Sequence, residues 1–249
     1  TMYSVNAANG VENWNVTVST TIYSSSPAVY DSTVYIGDDS GKVSAYSVNG
    51  TYKWSASVGG KVRASPLVDI DNNRIVVTSS GANGNITALN LSSGDIEWQT
   101  NIGGTSASVA LSSEGYVVAT AADINMVDFD GNKLWNYPLG KTFGGGAPTV
   151  VGDIIFAVTN EASSRLVAID MTGKLLKEVA LTPANWAVYS ATFIDGVLYV
   201  ASDNGHIYAF SDVEDITDDN PWLLVGGLIG VVLIAAIGLV YWNGKKKGT

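Results

Sequence analysis

The sequence predicts an all-β protein, a β-propeller of four-stranded antiparallel blades, followed by one C-terminal transmembrane helix. The first observation is a unit, typified by ALNLSSGDIEW at 88–98, that returns along most of the chain in altered spellings. The second is its spacing, because successive strand-ending tryptophans are 40, 44 and 37 residues apart, close to the roughly 40–50 residues of one propeller blade. The third is an uncharged run of 21 residues at 222–242.

Each copy of the unit contains an alternating apolar strand, a glycine turn and a second strand that usually ends in tryptophan. β-Branched and aromatic residues between Asp, Asn, Ser and Gly turns are typical of β-hairpins. The turn glycines are Gly10, Gly50, Gly94, Gly131 and Gly173. The tryptophans are Trp14, Trp54, Trp98 and Trp135. Large apolar rings that recur at one position of each period indicate a structural role in the core.

Four copies show all four strands of a blade, at 26–58, 65–102, 108–139 and 147–181. A fifth copy begins at Ser190 and shows three strands, and two strands stand before the first blade. We therefore expect about five visible blades, in a ring of six to eight whose first part precedes Thr1. The alternative is a five-bladed ring in which the strand at 11–18 completes the last blade, since such closure removes an open sheet edge.

The frame A-x-D/N-x-x-x-G-x-x-x-W resembles the tryptophan-docking repeat of pyrroloquinoline-quinone-type β-propellers. Ala88, Asn90, Gly94 and Trp98 fit this frame without a gap, whereas Lys177 takes the place of tryptophan in the fourth blade. The resemblance covers about residues 2–212. It implies that the tryptophan of one blade packs against the neighbouring blade and so ties the ring together.

Composition excludes several classes of function. The chain has no cysteine, which rules out a disulfide framework, a thiolate metal site and a cysteine nucleophile. Its net charge of −10 repels nucleic acid, because phosphate binding needs clustered lysine and arginine. The quinoprotein dehydrogenases that the repeat resembles are far longer and commonly carry a vicinal disulfide beside a carboxylate-bound calcium. That disulfide is excluded here.

Few residues have the pattern of a catalytic or metal site. His206, the single histidine, follows a hairpin turn and is interpreted as a surface turn residue. Asp38 with Asp39, and Asp69 with Asp71, have the composition of a weak calcium site or an acid–base pair. Asp is also a common turn former, so we expect solvated turns at these positions. The glycines at 144–146 are interpreted as a blade-to-blade linker. We predict no catalytic residue, no metal and no cofactor.

Four asparagines begin N-glycosylation sequons, and they would accept glycans if the domain lies outside the cell. They are Asn15, Asn49, Asn85 and Asn90. The alternative is chance, because a chain rich in Asn, Ser and Thr forms such triplets freely.

The run at 222–242 predicts a membrane-spanning helix, because 21 apolar residues at 1.5 Å each span roughly 30 Å of hydrocarbon. Trp222, Tyr241 and Trp242 stand where interfacial aromatic residues are expected, and the lysines at 245–247 follow at once. Positive charge stays in the cytoplasm, so the propeller faces outward. The predicted domains are the propeller at 1–212, an acidic linker at 213–221, the helix at 222–242 and a basic cytoplasmic tail at 243–249.

These observations predict a single-pass protein of the cell membrane with an extracytoplasmic propeller. Its predicted function is non-catalytic binding or scaffolding of a protein or another surface ligand. The alternative is a truncated quinone-dependent dehydrogenase whose cofactor site lies partly in blades outside this chain. A sensor that has lost its cytoplasmic half ranks last.

Overall fold

The computed structural model describes residues 1–18, 20–81, 84–138 and 146–211, and within these ranges the regular elements are all β-strands. β1 (Met2–Val5) and β2 (Glu12–Val16) form an antiparallel hairpin. The first blade contains β3 (Ala28–Tyr30), β4 (Thr33–Gly37), β5 (Lys42–Ser47) and β6 (Tyr52–Ser57). The second contains β7 (Leu67–Asp69), β8 (Arg74–Thr78), β9 (Asn85–Asn90) and β10 (Ile96–Asn101).

The remaining sheets follow the same plan. The third blade contains β11 (Ala110–Leu111), β12 (Tyr116–Ala119), β13 (Asp123–Val127) and β14 (Lys133–Pro138). The fourth contains β15 (Thr149–Val151), β16 (Ile154–Val158), β17 (Arg165–Asp170) and β18 (Leu175–Ala180). A three-stranded sheet contains β19 (Thr192–Ile194), β20 (Val197–Ala201) and β21 (Ile207–Phe210). The predicted four-stranded antiparallel blades are confirmed.

The first strand of each blade is the innermost one, because β3, β7, β11, β15 and β19 contact one another in succession. Antiparallel order places the turns of each blade at two opposite ends. We call one end the hairpin face, which carries the first and third turns of every blade. We call the other the mouth face, which carries the second turns and the linkers between blades. Hydrogen bonds join these linkers to the second turns, such as Val62 N to Asp38 O at 2.9 Å and Asp203 N to Trp186 O at 2.9 Å.

Buried apolar side chains fill the spaces between adjacent blades. Val117 and Met126 of the third blade meet Ile155 and Ile169 of the fourth, and all four are fully buried. Each such side chain contributes about 1.5–3 kcal/mol when it leaves water. The core is therefore a series of layers between blades.

Each docking tryptophan lies against the turn glycine of the following blade. The pairs are Trp14 with Gly50, Trp54 with Gly94, Trp98 with Gly131 and Trp135 with Gly173. A Cβ added to any of these glycines would lie within 2.9 Å of the ring. At Gly94 the backbone also has φ of +76°, which favours glycine. The turn therefore needs glycine both for its conformation and for the space that the indole occupies.

Three of the four indoles also donate a hydrogen bond to the hairpin on which they pack. Trp14 donates to Val48 O at 2.7 Å, and Trp135 donates to Met171 O at 2.7 Å. Trp98 donates to Phe129 O at 3.0 Å. The indole NH of Trp54 is buried and has no partner among the described residues. Its target hairpin, at 90–95, has one more residue before the glycine than the other three targets, and the Leu91 carbonyl in it accepts a hydrogen bond from the Tyr35 hydroxyl at 3.3 Å.

The five-bladed closure considered from the sequence is wrong. β2 pairs with β1 and so does not complete the last sheet, which has three strands in the described part of the chain. The ring of six to eight blades stays a prediction.

Within the described ranges no helix is long and apolar enough to cross a membrane. The predicted linker at 213–221, helix at 222–242 and tail at 243–249 lie outside those ranges.

Candidate functional site

His206 lies at the turn that precedes β21, as predicted. Its backbone NH donates to Asn204 Oδ1 at 2.9 Å, and its ring stacks on Tyr208 with centroids 6.1 Å apart. The described residues contain no group of three or more His, Cys, Asp or Glu side chains that could hold a metal ion. Of the predicted glycine linker, Gly146 lies beside the backbone of Tyr189, and Gly144 and Gly145 lie outside the described residues.

The prediction of solvated carboxylates is wrong for Asp38 and Asp69, which are buried, and right for Asp71, which is exposed. Asp38 Oδ1 accepts hydrogen bonds from Ser40 N at 2.8 Å, Ser40 Oγ at 2.6 Å and Lys42 N at 3.2 Å. A buried carboxylate is tolerated where donors surround it. Asp38 therefore organises the second turn of the first blade.

Asp69 links two blades. Its Oδ2 accepts hydrogen bonds from Asn72 Nδ2 at 2.9 Å and from the hydroxyl of Tyr116 in the third blade. Burial, followed by the hydrogen bond to Asp69, raises the pKa of the Tyr116 phenol well above its usual range. The phenol therefore stays protonated and donates. Because all these partners lie inside the protein, the pair is a structural contact.

The four sequon asparagines differ in exposure and bonding. Asn49 lies exposed in the hairpin turn of the first blade, and Asn15 is exposed on β2 with Nδ2 donating to Glu12 at 2.6 Å. Asn85 is half-buried. Asn90 is half-buried, and its Oδ1 accepts from the backbone of the next turn. Glycosylation at all four stays a prediction.

The mouth face surrounds a cavity of about 750 Å³. This volume is within the usual range for small-molecule ligand pockets. Residues of three inter-blade linkers and of the segment before the first blade line it, among them Tyr23, Arg63, Ser65, Ser108, Val188 and Tyr189. A smaller pocket of about 140 Å³ on the hairpin face lies beside Asp31 and Lys53.

Serine side chains hold neighbouring linkers together around this cavity. Ser26 N donates to Ser65 Oγ at 3.0 Å, and Ser65 N donates to Ser108 Oγ at 3.0 Å. Ala147 N makes the same contact with Ser190 Oγ at 2.8 Å. Ser65, Ser108 and Ser190 thus each hold the preceding linker from the same place in the repeat, whereas the fourth blade has Ala147 there. Hydrogen bonds from backbone NH groups to serine hydroxyls therefore support the cavity.

Exposed aromatic side chains stand on the mouth face, where Tyr23 and Tyr189 line the cavity and Trp186 lies on the same linker as Tyr189. Tyr23 is 72% exposed, Tyr189 is 60% exposed and Trp186 is 48% exposed. The guanidinium of Arg63 lies over the Tyr23 ring, 4.4 Å from its centroid. Aromatic residues and arginine are enriched in protein interfaces. We call Tyr23, Arg63, Trp186, Val188 and Tyr189 the mouth surface.

Arg63 is held in place by a carboxylate on the first blade. Its Nε and one terminal nitrogen donate to Asp39 at 2.9 and 2.8 Å, and Lys61 Nζ lies 3.5 Å from the same carboxylate. The hydrogen bond from Arg63 lowers the pKa of the Asp39 carboxyl below its usual range. Asp39 is therefore ionised at neutral pH, and two cations face one anion.

The turns of the hairpin face and the linkers of the mouth face differ in charge. Exposed carboxylates on the hairpin-face turns are Asp31, Asp71, Asp95, Glu114, Asp130, Asp153 and Asp195. By contrast, the described segments at 20–27, 58–66, 102–109 and 181–191 contain two charged residues, Lys61 and Arg63, and both are basic. The cores of protein interfaces are depleted of acidic residues. The linkers of the mouth face thus have the composition of an interface, whereas its second turns carry acidic residues, among them Asp39, Glu161 and the exposed Asp203.

Sequence reasoning missed the mouth surface, because the linkers have no strand periodicity and no catalytic motif. A composition difference was present in the sequence. The chain has 23 acidic residues in 249, yet the segment before the first blade and the three described inter-blade linkers contain none. Exposed Tyr and Trp in segments that lack acidic residues would have pointed to this face.

Comparison with known proteins identifies the family. A family model described as "Outer membrane protein assembly factor BamB" matches residues 1–215. This chain belongs to the BamB family. The resemblance to pyrroloquinoline-quinone-type propellers is thereby confirmed at the level of the repeat and the fold.

Two BamB proteins illustrate the relationship. The outer membrane protein assembly factor BamB of Yersinia pestis is 30% identical over 148 residues, which cover 54% of this chain and 38% of that protein. The crystal structure of BamB from Moraxella catarrhalis matches with a TM-score of 0.70 and 18% identity, over 83% of this chain and 65% of that chain. The chain therefore spans less than two thirds of either relative.

Proposed function

We propose that this chain is a non-catalytic protein-binding module that takes part in the assembly of envelope proteins and meets its partner with the mouth surface. Membership of the BamB family supports the assembly role, since the relatives carry that description. The observation that carries the choice of surface is the exposure of Tyr23 and Tyr189 beside a cavity, and of Trp186 on the same linker as Tyr189, where the described linkers contain no acidic residue. Rigid aromatic side chains give contact area at a low cost in entropy.

Photo-crosslinking in the native host tests this function. A benzophenone amino acid would replace Tyr23 or Tyr189 on the mouth face, and Tyr52 or Ile70 on the hairpin face as controls. The control side chains are 58% and 56% exposed, which is close to the 60% exposure of Tyr189. We expect discrete crosslinked protein bands from the two mouth positions and several-fold weaker bands from the controls. Equal crosslinking from both faces, or none from the mouth, would contradict the proposal.

We further propose that the propeller is extracytoplasmic and that residues 222–242 anchor it in the membrane. Support comes from 21 uncharged residues, enough to span roughly 30 Å of hydrocarbon, and from the lysines at 245–247 that follow them. Alkaline carbonate extraction of host membranes tests whether the chain is integrated in the membrane. The full chain is expected in the pellet, and a chain that ends at residue 212 is expected in the supernatant. Release of the full chain into the supernatant would argue against the anchor.

A further inference from the structure

The mouth surface has an unbalanced charge. In the part of the chain that the structure describes, Lys61 and Arg63 both contact Asp39, and their side chains are 53% and 27% exposed. The side chain of Asp39 is 16% exposed. At this point beside the cavity two cations therefore meet one anion, on a protein whose net charge is −10. A local charge opposite in sign to the rest of the surface favours one class of partner over others.

The guanidinium of Arg63 is preorganised to bind a planar anion. Asp39 holds two of its nitrogens, and the Tyr23 ring lies against the guanidinium. Arginine binds carboxylates with a fork of donors, and a fixed fork loses less entropy when it binds. Val188 and Tyr189 line the same cavity, so apolar contact area is available beside the charged group.

We infer, resting on the proposed function, that the partner presents a peptide segment in which an acidic side chain neighbours an apolar one. The apolar side chain enters the mouth cavity between Tyr23 and Tyr189. The carboxylate binds Arg63 and Lys61, where it joins or displaces Asp39. Asp39 thus acts as an internal competitor that keeps the site closed to weakly acidic segments.

Selection of random heptapeptides displayed on phage, against the full chain in detergent, tests the inference. We expect enrichment of peptides with Asp or Glu next to an aliphatic or aromatic residue. One enriched peptide is then synthesised, and its Kd is measured by fluorescence anisotropy. Arg63→Gln is expected to weaken binding about tenfold, because a charge-assisted hydrogen bond is lost. Asp39→Asn is expected to strengthen it about threefold, because the internal competitor becomes neutral.

The opposite signs of these two effects separate recognition from structure. If the Arg63–Asp39 contact served only to shape the linker, both substitutions would weaken binding. Lys133→Gln, an exposed lysine on the hairpin face, controls for net charge and is expected to leave the Kd unchanged. Enrichment of basic or purely apolar peptides, or weaker binding by Asp39→Asn, would overturn the inference. Crosslinks at Tyr23 together with such a result would leave the protein-binding function standing and remove only the acidic motif.

Discussion

Replacement of Trp54 by alanine is expected to lower the free energy of unfolding by about 3–5 kcal/mol, the usual loss for a buried tryptophan. Trp54 is 8% exposed. Its ring lies against Gly94 of the second blade and 5.9 Å from the ring of Tyr35, measured between centroids. Alanine would leave a cavity between two blades whose backbones are fixed by their sheets. Urea unfolding of the full chain in detergent, followed by far-UV circular dichroism, measures the change.

A pair of phenylalanine variants controls for ring packing. Trp135→Phe removes an indole that donates to Met171 O at 2.7 Å, whereas the indole of Trp54 finds no acceptor among the residues that the structure describes. We therefore expect Trp135→Phe to cost about 1 kcal/mol more than Trp54→Phe, the net value of one hydrogen bond. A loss below about 1 kcal/mol for Trp54→Ala would mean that the docked ring does not couple the blades.

Replacement of Tyr116 by phenylalanine is expected to cost about 1–3 kcal/mol, because it removes one of the two hydrogen bonds that Oδ2 of a buried carboxylate accepts. Tyr116 is fully buried, and its hydroxyl donates to Asp69 of the preceding blade. Its ring contacts Trp98 and Phe129 at centroid distances of 5.7 and 5.4 Å, and phenylalanine keeps these contacts. The loss in the free energy of unfolding therefore measures the contribution of the hydrogen bond made by the Tyr116 hydroxyl. The same urea titration measures it.

Tyr52→Phe is the matched control for this prediction. The Tyr52 hydroxyl donates to Ser55 Oγ at 3.1 Å on an exposed stretch of β6. Water replaces that contact, so we expect a change within about 0.5 kcal/mol. Equal effects of the two substitutions would show that the Asp69 contact adds nothing to stability.

The strands and the docking frame could be predicted from the sequence because both depend on local pattern. Alternation of apolar and polar residues predicts a strand, and a glycine that can adopt positive φ predicts a hairpin turn. The burial of Asp69 could not be predicted in this way. Asp69 and Asp71 stand in the same turn composition, and what distinguishes them is Tyr116, 47 residues away in the next blade. Contacts across blades depend on the stacking of repeats, which the pattern within one repeat does not contain.

The pairing of β2 was undecided for a related reason. Its residues suit the outer strand of any blade, and only the hairpin with β1 selects a partner. The mouth surface is a third case. Tyr23, Arg63 and Tyr189 are far apart in sequence and meet because three linkers converge on one cavity. The sequence shows that these linkers lack acidic residues, but only the folded structure shows that they meet at one cavity.

The direction of the tryptophan contacts has a consequence for synthesis of the chain on the ribosome. Every docking ring packs on a glycine that is translated later: Gly94 follows Trp54 by 40 residues, and Gly173 follows Trp135 by 38. At roughly 5–20 residues per second, a new blade exposes its indole for about 2–8 s before the next hairpin exists. Each docking tryptophan is thus covered only when the following blade has been made, and the fourth blade, with Lys177 at this place, adds no further indole to the growing chain.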